Sequence, residues 1–127
     1  MSDTVTRGVR IVVVPSYLPE QSEPVAGRYL FVYQVMIRNE GEQPVQLLSR
    51  HWVITDGEGR VEEVRGPGVV GYQPRLAAGE SFSYSSGCPL PTPVGTMHGS
   101  FEMIADNGDR FDALIAPFRL AVPSVLN

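Results

Sequence analysis

Apolar side chains recur at every second position through long stretches of this chain. From Tyr29 to Arg38, Tyr29, Phe31, Tyr33, Val35 and Ile37 alternate with Leu30, Val32, Gln34, Met36 and Arg38. One face of that segment is wholly apolar, as a strand lying on a core requires. The same period returns at Phe101, Met103 and Ala105 against Ser100 and Glu102, and at Phe111, Ala113 and Ile115 against Arg110 and Asp112. These are strands with one wet face. The pattern predicts seven strands, near 5-14, 29-38, 45-55, 60-65, 81-86, 96-105 and 110-119, and no segment carries a helical period.

Turn chemistry fits the same division. Asp56-Gly57-Glu58-Gly59 and Asp106-Asn107-Gly108-Asp109 place residues that tolerate positive φ between alternating segments, which predicts two tight hairpins. Residues 15-28 hold Pro15, Pro19 and Pro24, and residues 87-95 hold Pro89, Pro91 and Pro93; both are expected to be non-helical loops. Seven short antiparallel strands in this length predict an all-β, two-sheet antiparallel sandwich of the immunoglobulin or fibronectin type III kind, each sheet covering the apolar face of the other. No Cys-Trp-Cys spacing is present, which excludes an immunoglobulin domain proper. Leu76-Ala77-Ala78-Gly79-Glu80 before Phe82 and Tyr84 resembles the turn preceding the tyrosine of fibronectin type III domains. The Tyr84 hydroxyl is expected to bond a carbonyl of that turn.

Composition narrows the function classes. With 127 residues and 43% hydrophobic positions, the expectation is a single domain over 1-127 with its own core. A net charge of -4 argues against a nucleic-acid surface, and no segment approaches the apolar length of a membrane helix or a signal peptide. All ten cationic side chains are Arg. Cys88 is the sole cysteine, so no internal disulfide forms and a reducing, cytoplasmic setting is expected.

Three runs carry a resemblance: Ser49-Arg50-His51-Trp52-Val53-Ile54-Thr55-Asp56-Gly57; Val64-Arg65-Gly66-Pro67-Gly68-Val69-Val70-Gly71-Tyr72-Gln73-Pro74; and Tyr84-Ser85-Ser86-Gly87-Cys88-Pro89-Leu90 followed by Gly95-Thr96-Met97-His98-Gly99. Together with Phe111 and Pro117-Phe118-Arg119-Leu120, they resemble the ApaG family across nearly the whole chain. The resemblance implies a fibronectin type III-like sandwich without established catalytic activity. It also implies an association with cobalt resistance and magnesium efflux, and use as an interaction module in larger proteins.

Gly66-Pro67-Gly68-Val69-Val70-Gly71 satisfies G-x-G-x-x-G, which the resemblance links to pyrophosphate binding. In dinucleotide folds that motif presents phosphate to a helix N-terminus. Here Pro74 and Gly79 follow, so no helix is expected; a glycine loop with Arg65 beside it remains an anion nest, giving Gly66, Gly68, Gly71 and Arg65 as candidate nucleotide-binding residues. His51, His98 and Cys88 lack the spacing of a preformed metal site, and no hydrolase or cysteine-nucleophile signature surrounds them; no catalytic residue, resident metal or cofactor is expected. Strand parity puts His51 opposite Trp52 in a local hydrogen-bond pattern and His98 on a wet face with Ser100 and Glu102. The acidic groups Asp56, Glu58, Glu62 and Glu63, and Asp106, Asp109 and Asp112, are expected to be solvated hairpin charges. The expected role is a non-catalytic interaction or regulatory module that binds another protein through loops 66-74 and 87-95, as a monomer or homodimer. A nucleotide or a divalent cation is the alternative ligand.

Overall fold

The computed structural model describes residues 1–126. Nine strands form two antiparallel sheets stacked face to face: β1 (Ser2–Thr6), β2 (Val9–Tyr17), β3 (Tyr29–Asn39), β4 (Val45–Asp56), β5 (Val61–Pro67), β6 (Arg75–Leu76), β7 (Ser81–Leu90), β8 (Val94–Ala105) and β9 (Arg110–Ala121). One sheet runs β1-β2-β3-β7 and the other β5-β4-β8-β9, with β6 pairing the start of β4. The predicted sandwich is therefore the observed architecture. The alternation on β3 does what its period requires, burying Phe31, Tyr33, Val35 and Ile37.

Two bulges shift that alternation where it matters. In β4 the register against β8 slips between Leu47 and Ser49, so the inward set changes from Val45 and Leu47 to Arg50, Trp52 and Ile54. The second slip, between Met97 and Gly99 against β9, accommodates Pro117 and resets the inward set of β9 from Ile115 to Phe118. Trp52 thus lies edge-on to Tyr33 of the opposite sheet, Phe101 and Phe118, with centroids 5.1, 6.2 and 6.1 Å away.

Several expectations need correcting. The first predicted strand, 5-14, is a hairpin: Arg7 and Gly8 both have positive φ (48° and 83°), a two-residue turn between β1 and β2. Arginine is an uncommon residue there, and Arg7 is held by Asp109 (3.5 Å) and by the Phe111 ring, 4.8 Å from its guanidinium carbon. Segment 15-28 is not all loop. β2 continues through Pro15 to Tyr17, and two single 3₁₀ turns, Pro19–Gln21 and Pro24–Ala26, each begin at a proline, where the missing N–H costs nothing. Nor is 87-95 a loop, because β7 runs to Leu90 and β8 starts at Val94, leaving a three-residue link between the sheets. Gly66 and Pro67 likewise belong to β5 rather than to the glycine-rich loop. Both predicted hairpins form as expected, and Asp56 anchors the first by accepting the amides of Glu58 (2.8 Å) and Arg60 (3.0 Å).

The turn before β7 is built differently from the fibronectin type III expectation. Its first carbonyl, Leu76 O, is served by Asn39, which is 1% exposed. The Asn39 amide nitrogen donates to Leu76 O (3.0 Å) and Gln43 O (2.8 Å), and its side-chain oxygen accepts the Gly41 amide (3.0 Å). The Tyr84 hydroxyl, assigned to this turn by sequence, is instead buried with no hydrogen-bond partner in the protein.

Candidate functional site

The two sheets are laterally offset. β1 and β2 both pack on β9, closing one side of the sandwich, where the Leu114 amide donates to Thr6 Oγ1 (3.1 Å). On the other side β7 and β5 are terminal strands, and β5 has no buried residue. Between them lies a cleft of about 270 Å³.

The β4 bulge turns Arg50 into this cleft, and Gly66, its cross-strand partner on β5, makes room for it. A Cβ at Gly66 would meet the Arg50 guanidinium at 2.9–3.0 Å. The Arg50 Nη1 donates to the carbonyls of Pro67 (2.9 Å) and Gly68 (3.1 Å), which fixes the group at the cleft mouth. No carboxylate of the described residues lies within ion-pair distance of Arg50, nor of Arg38 and Arg119, whereas Arg7, Arg10, Arg28, Arg60, Arg65, Arg75 and Arg110 all have one. Tyr33, Ser86 and Cys88 line the cleft from the other sheet, whereas Tyr84, whose hydroxyl is buried without a partner, is not among its lining residues.

Burial raises the Tyr84 hydroxyl well above its ordinary pKa; Tyr33 adds to the effect and Arg50 opposes it. Tyr33 is raised by burial too, with Ser86 working against it. The Cys88 thiol is pushed up to about 11 by burial and, secondarily, by Glu62. A group whose pKa rises on folding favours the folded state below its unfolded pKa and loses that advantage as pH climbs through the folded value. Cys88 should therefore alkylate far more slowly at pH 7.5 than a free thiol and accelerate only towards pH 11 or on unfolding. Iodoacetamide labelling rates across pH 7 to 11 measure this.

The sequence-derived candidates divide between two faces. Gly66 lies against the Arg50 guanidinium, while Arg65 points to the outer face and pairs with Glu63 (3.6 Å). Gly68 and Gly71 have φ of 60° and 84°, and Val70, at 44°, completes a two-residue turn closed by reciprocal Val69 and Tyr72 bonds of 2.8 Å. No helix follows Gly71, and the next element is β6. The Gly68 amide donates to Leu48 O (2.9 Å), so three amides of the run are engaged within the chain. Its exposed tip carries Val70 and Tyr72, and Tyr72 packs on Phe82 (5.9 Å), which in turn packs on Tyr84 (6.3 Å). His51 Nε2 lies 2.7 Å from Glu63 Oε1 on the outer face, and His98 is exposed, both as parity indicated. Among the described residues, no group of three His, Cys, Asp or Glu side chains is placed to hold a metal ion. Several of the acidic hairpin groups are instead paired with arginine: Glu58 with Arg60, Asp106 with Arg75 (2.7 Å) and Asp109 with Arg7.

The profile of the ApaG domain matches residues 19–105, which include β3 to β8, the cleft and the glycine-rich turn. The chain belongs to the ApaG family. It is 59% identical to Protein ApaG of Pseudomonas fluorescens over 119 residues, covering 94% of each chain, and 54% identical to that of Aromatoleum aromaticum over the full length of both. A crystal structure of a Bordetella pertussis protein described as ApaA superposes with a TM-score of 0.89 at 56% identity, covering 91% of this chain and 94% of that one. The C-terminal domain of wzt, 13% identical with a TM-score of 0.56 over 95% of this chain and 77% of its own, shares the fold alone. No helix among the described residues is long and apolar enough to cross a membrane. Within the ApaG match, sequence reasoning singled out the glycines and missed Arg50, whose signal is the bulge that breaks the period of β4.

Proposed function

We propose that this ApaG protein is a non-catalytic binding module, acting as one domain over 1-127, that engages a protein partner with its open side. The observation that carries this reading is the pair of terminal strands β5 and β7 flanking an uncovered cleft, with Val70 and Tyr72 exposed (52% and 62%) on the turn beside it. Apolar side chains held out on a rigid turn next to free strand edges are a recurrent way to recognise another chain. Of the segment expected as loop 87-95, Gly87, Cys88 and Pro89 line the cleft as part of β7, and the three-residue link that follows is not among its lining residues. A regulatory place in divalent-cation homeostasis, as the family resemblance implies, would then run through the partner rather than through bound metal. The test is quantitative co-purification from the native host. Tyr72→Glu with Val70→Glu should lose a stoichiometric partner that the wild type retains, and an unchanged partner profile sinks the reading.

A second reading, binding of a nucleotide or pyrophosphate at Gly66, Gly68, Gly71 and Arg65, is favoured by one observation. Arg50 and Arg65 both line a hollow of about 350 Å³ beside Gly66, although Glu102 and Asp112 line it too. Titration with ATP and diadenosine tetraphosphate should then shift amides 64-75 at millimolar ligand, and the absence of shifts there removes it.

A further inference from the structure

The chemistry of the partner can be narrowed from the cleft. This step rests on the binding-module reading above and concerns the same side of the molecule. β7 is ten residues long and pairs with β3 on one edge; its other edge has no strand beside it among the described residues. Every residue of β7 is uncharged, and Pro89 is the single feature that blunts its edge. Below that edge, the inward residues of β5 (Glu62, Val64 and Gly66) are uncovered because the sheets are offset. A strand added beside β7 would lie over them, its alternate side chains pointing into the cleft.

What such a side chain would meet is specific. Arg50 is a cation without a carboxylate, held rigidly by two carbonyls through one nitrogen and leaving its remaining N–H groups for a ligand. The cleft volume of about 270 Å³ falls just under the usual range for small-molecule pockets, roughly 300–1,000 Å³, and accommodates a side chain rather than a nucleotide. At the far end of the cleft, Glu62 pairs with Ile54, four residues along β4 from Arg50, or about 13 Å at strand rise. The cleft is therefore positive at one end and negative at the other, which fixes where an anion can sit.

We propose that the open side takes an extended segment of a partner protein as an additional strand beside β7, with an oxyanion-bearing side chain of that segment seated on Arg50. A second copy of this chain fits less well, because a pairing β7 brings no charge to Arg50.

The test uses the full chain, isotope-labelled, and capped seven-residue peptides of sequence Thr-Val-Ser-X-Ser-Val-Thr with X as Glu, phosphoserine or Gln. Shifts in the β7 amides and the Arg50 side-chain N–H, with Glu or phosphoserine binding about tenfold or more tighter than Gln, are the expected result. Whichever acid binds tighter identifies the source of the oxyanion. Arg50→Gln should abolish the preference. Because that change also loosens the glycine-rich turn, Arg50→Lys serves as the second variant; it keeps the cation, so a preference of about threefold to tenfold for the acidic peptides over Gln should survive in it. Equal binding of Glu and Gln peptides, no response at Arg50 with millimolar peptide, or sedimentation showing β7 occupied by a second copy overturns the proposal. If co-purification still depends on Val70 and Tyr72 in any of those cases, the binding-module reading stands and only the recognition chemistry falls.

Discussion

Gly99→Ala is expected to destabilise the fold by on the order of 4 kcal/mol, a large part of the roughly 5–15 kcal/mol that holds a domain folded. Gly99 lies opposite Trp52 in the β4–β8 ladder, beside the second bulge. A Cβ there would fall inside the contact radius of the His51 carbonyl oxygen and close to the Trp52 Cα, both backbone atoms that no rotamer change can move. Relief requires β4 and β8 to separate, and that separation would pull Trp52 away from Phe101 and Phe118. Overpacking a core with one extra carbon usually costs less, because side chains yield; here the obstacle is the ladder itself. Gly59→Ala is the matched control. Its φ of 85° makes it a left-handed position with open space around it, so it should cost only about 1–2 kcal/mol. Urea unfolding of both variants compares them, and equal midpoints would contradict the steric account.

The sandwich was legible in the sequence because period-two alternation is a direct consequence of strand geometry, and long segments such as Tyr29 to Arg38 carry little else. What escaped was governed by single residues acting against that period. The β1–β2 turn was hidden because Arg7 adopts a conformation usually left to Asn, Asp or Gly, and its reason, the contacts to Asp109 and Phe111, lies a hundred residues away. Proline marked 15-28 and 87-95 as loops; yet Pro15 and Pro89 sit inside strands, and Pro19 and Pro24 open helical turns. The rule that proline lacks a donor is sound, but it restricts position rather than forbidding the element.

The candidate site shows the same division. Gly66, Gly68 and Gly71 stood out by spacing, whereas the residue that Gly66 accommodates, Arg50, lies in a different strand and reads as an ordinary surface arginine. Strict alternation from Val45 would put Arg50 outside with Gln46 and Leu48; the bulge reverses this. No property of the local sequence announces that reversal, since it depends on β8 pairing across both halves of β4. The orphan hydroxyl of Tyr84 is likewise invisible in the sequence, because the preceding turn offers carbonyls that the fold keeps away from it, with Leu76 O bonded by Asn39.

Asn39 therefore supplies the second large effect. Its side chain makes three hydrogen bonds in a site that is 1% exposed, tying the end of β3 to the Gly41 turn, to Gln43 and to the end of β6 at Leu76. Asn39→Leu removes all three and strands two carbonyls and an amide, for an expected loss of about 3 kcal/mol. Asn39→Asp keeps the shape but replaces the donating amide with an oxygen, so that at neutral pH a carboxylate would face the carbonyls of Leu76 and Gln43 with no cation to compensate. An uncompensated buried charge costs about 3–5 kcal/mol, so the near-isosteric change is expected to be at least as harmful as the apolar one. That ordering separates a hydrogen-bonding role from a space-filling one. Denaturation midpoints at pH 7 should fall from wild type to Asn39→Leu and further, or equally, to Asn39→Asp. An Asp variant as stable as wild type would show that the amide donor is not what holds this corner together.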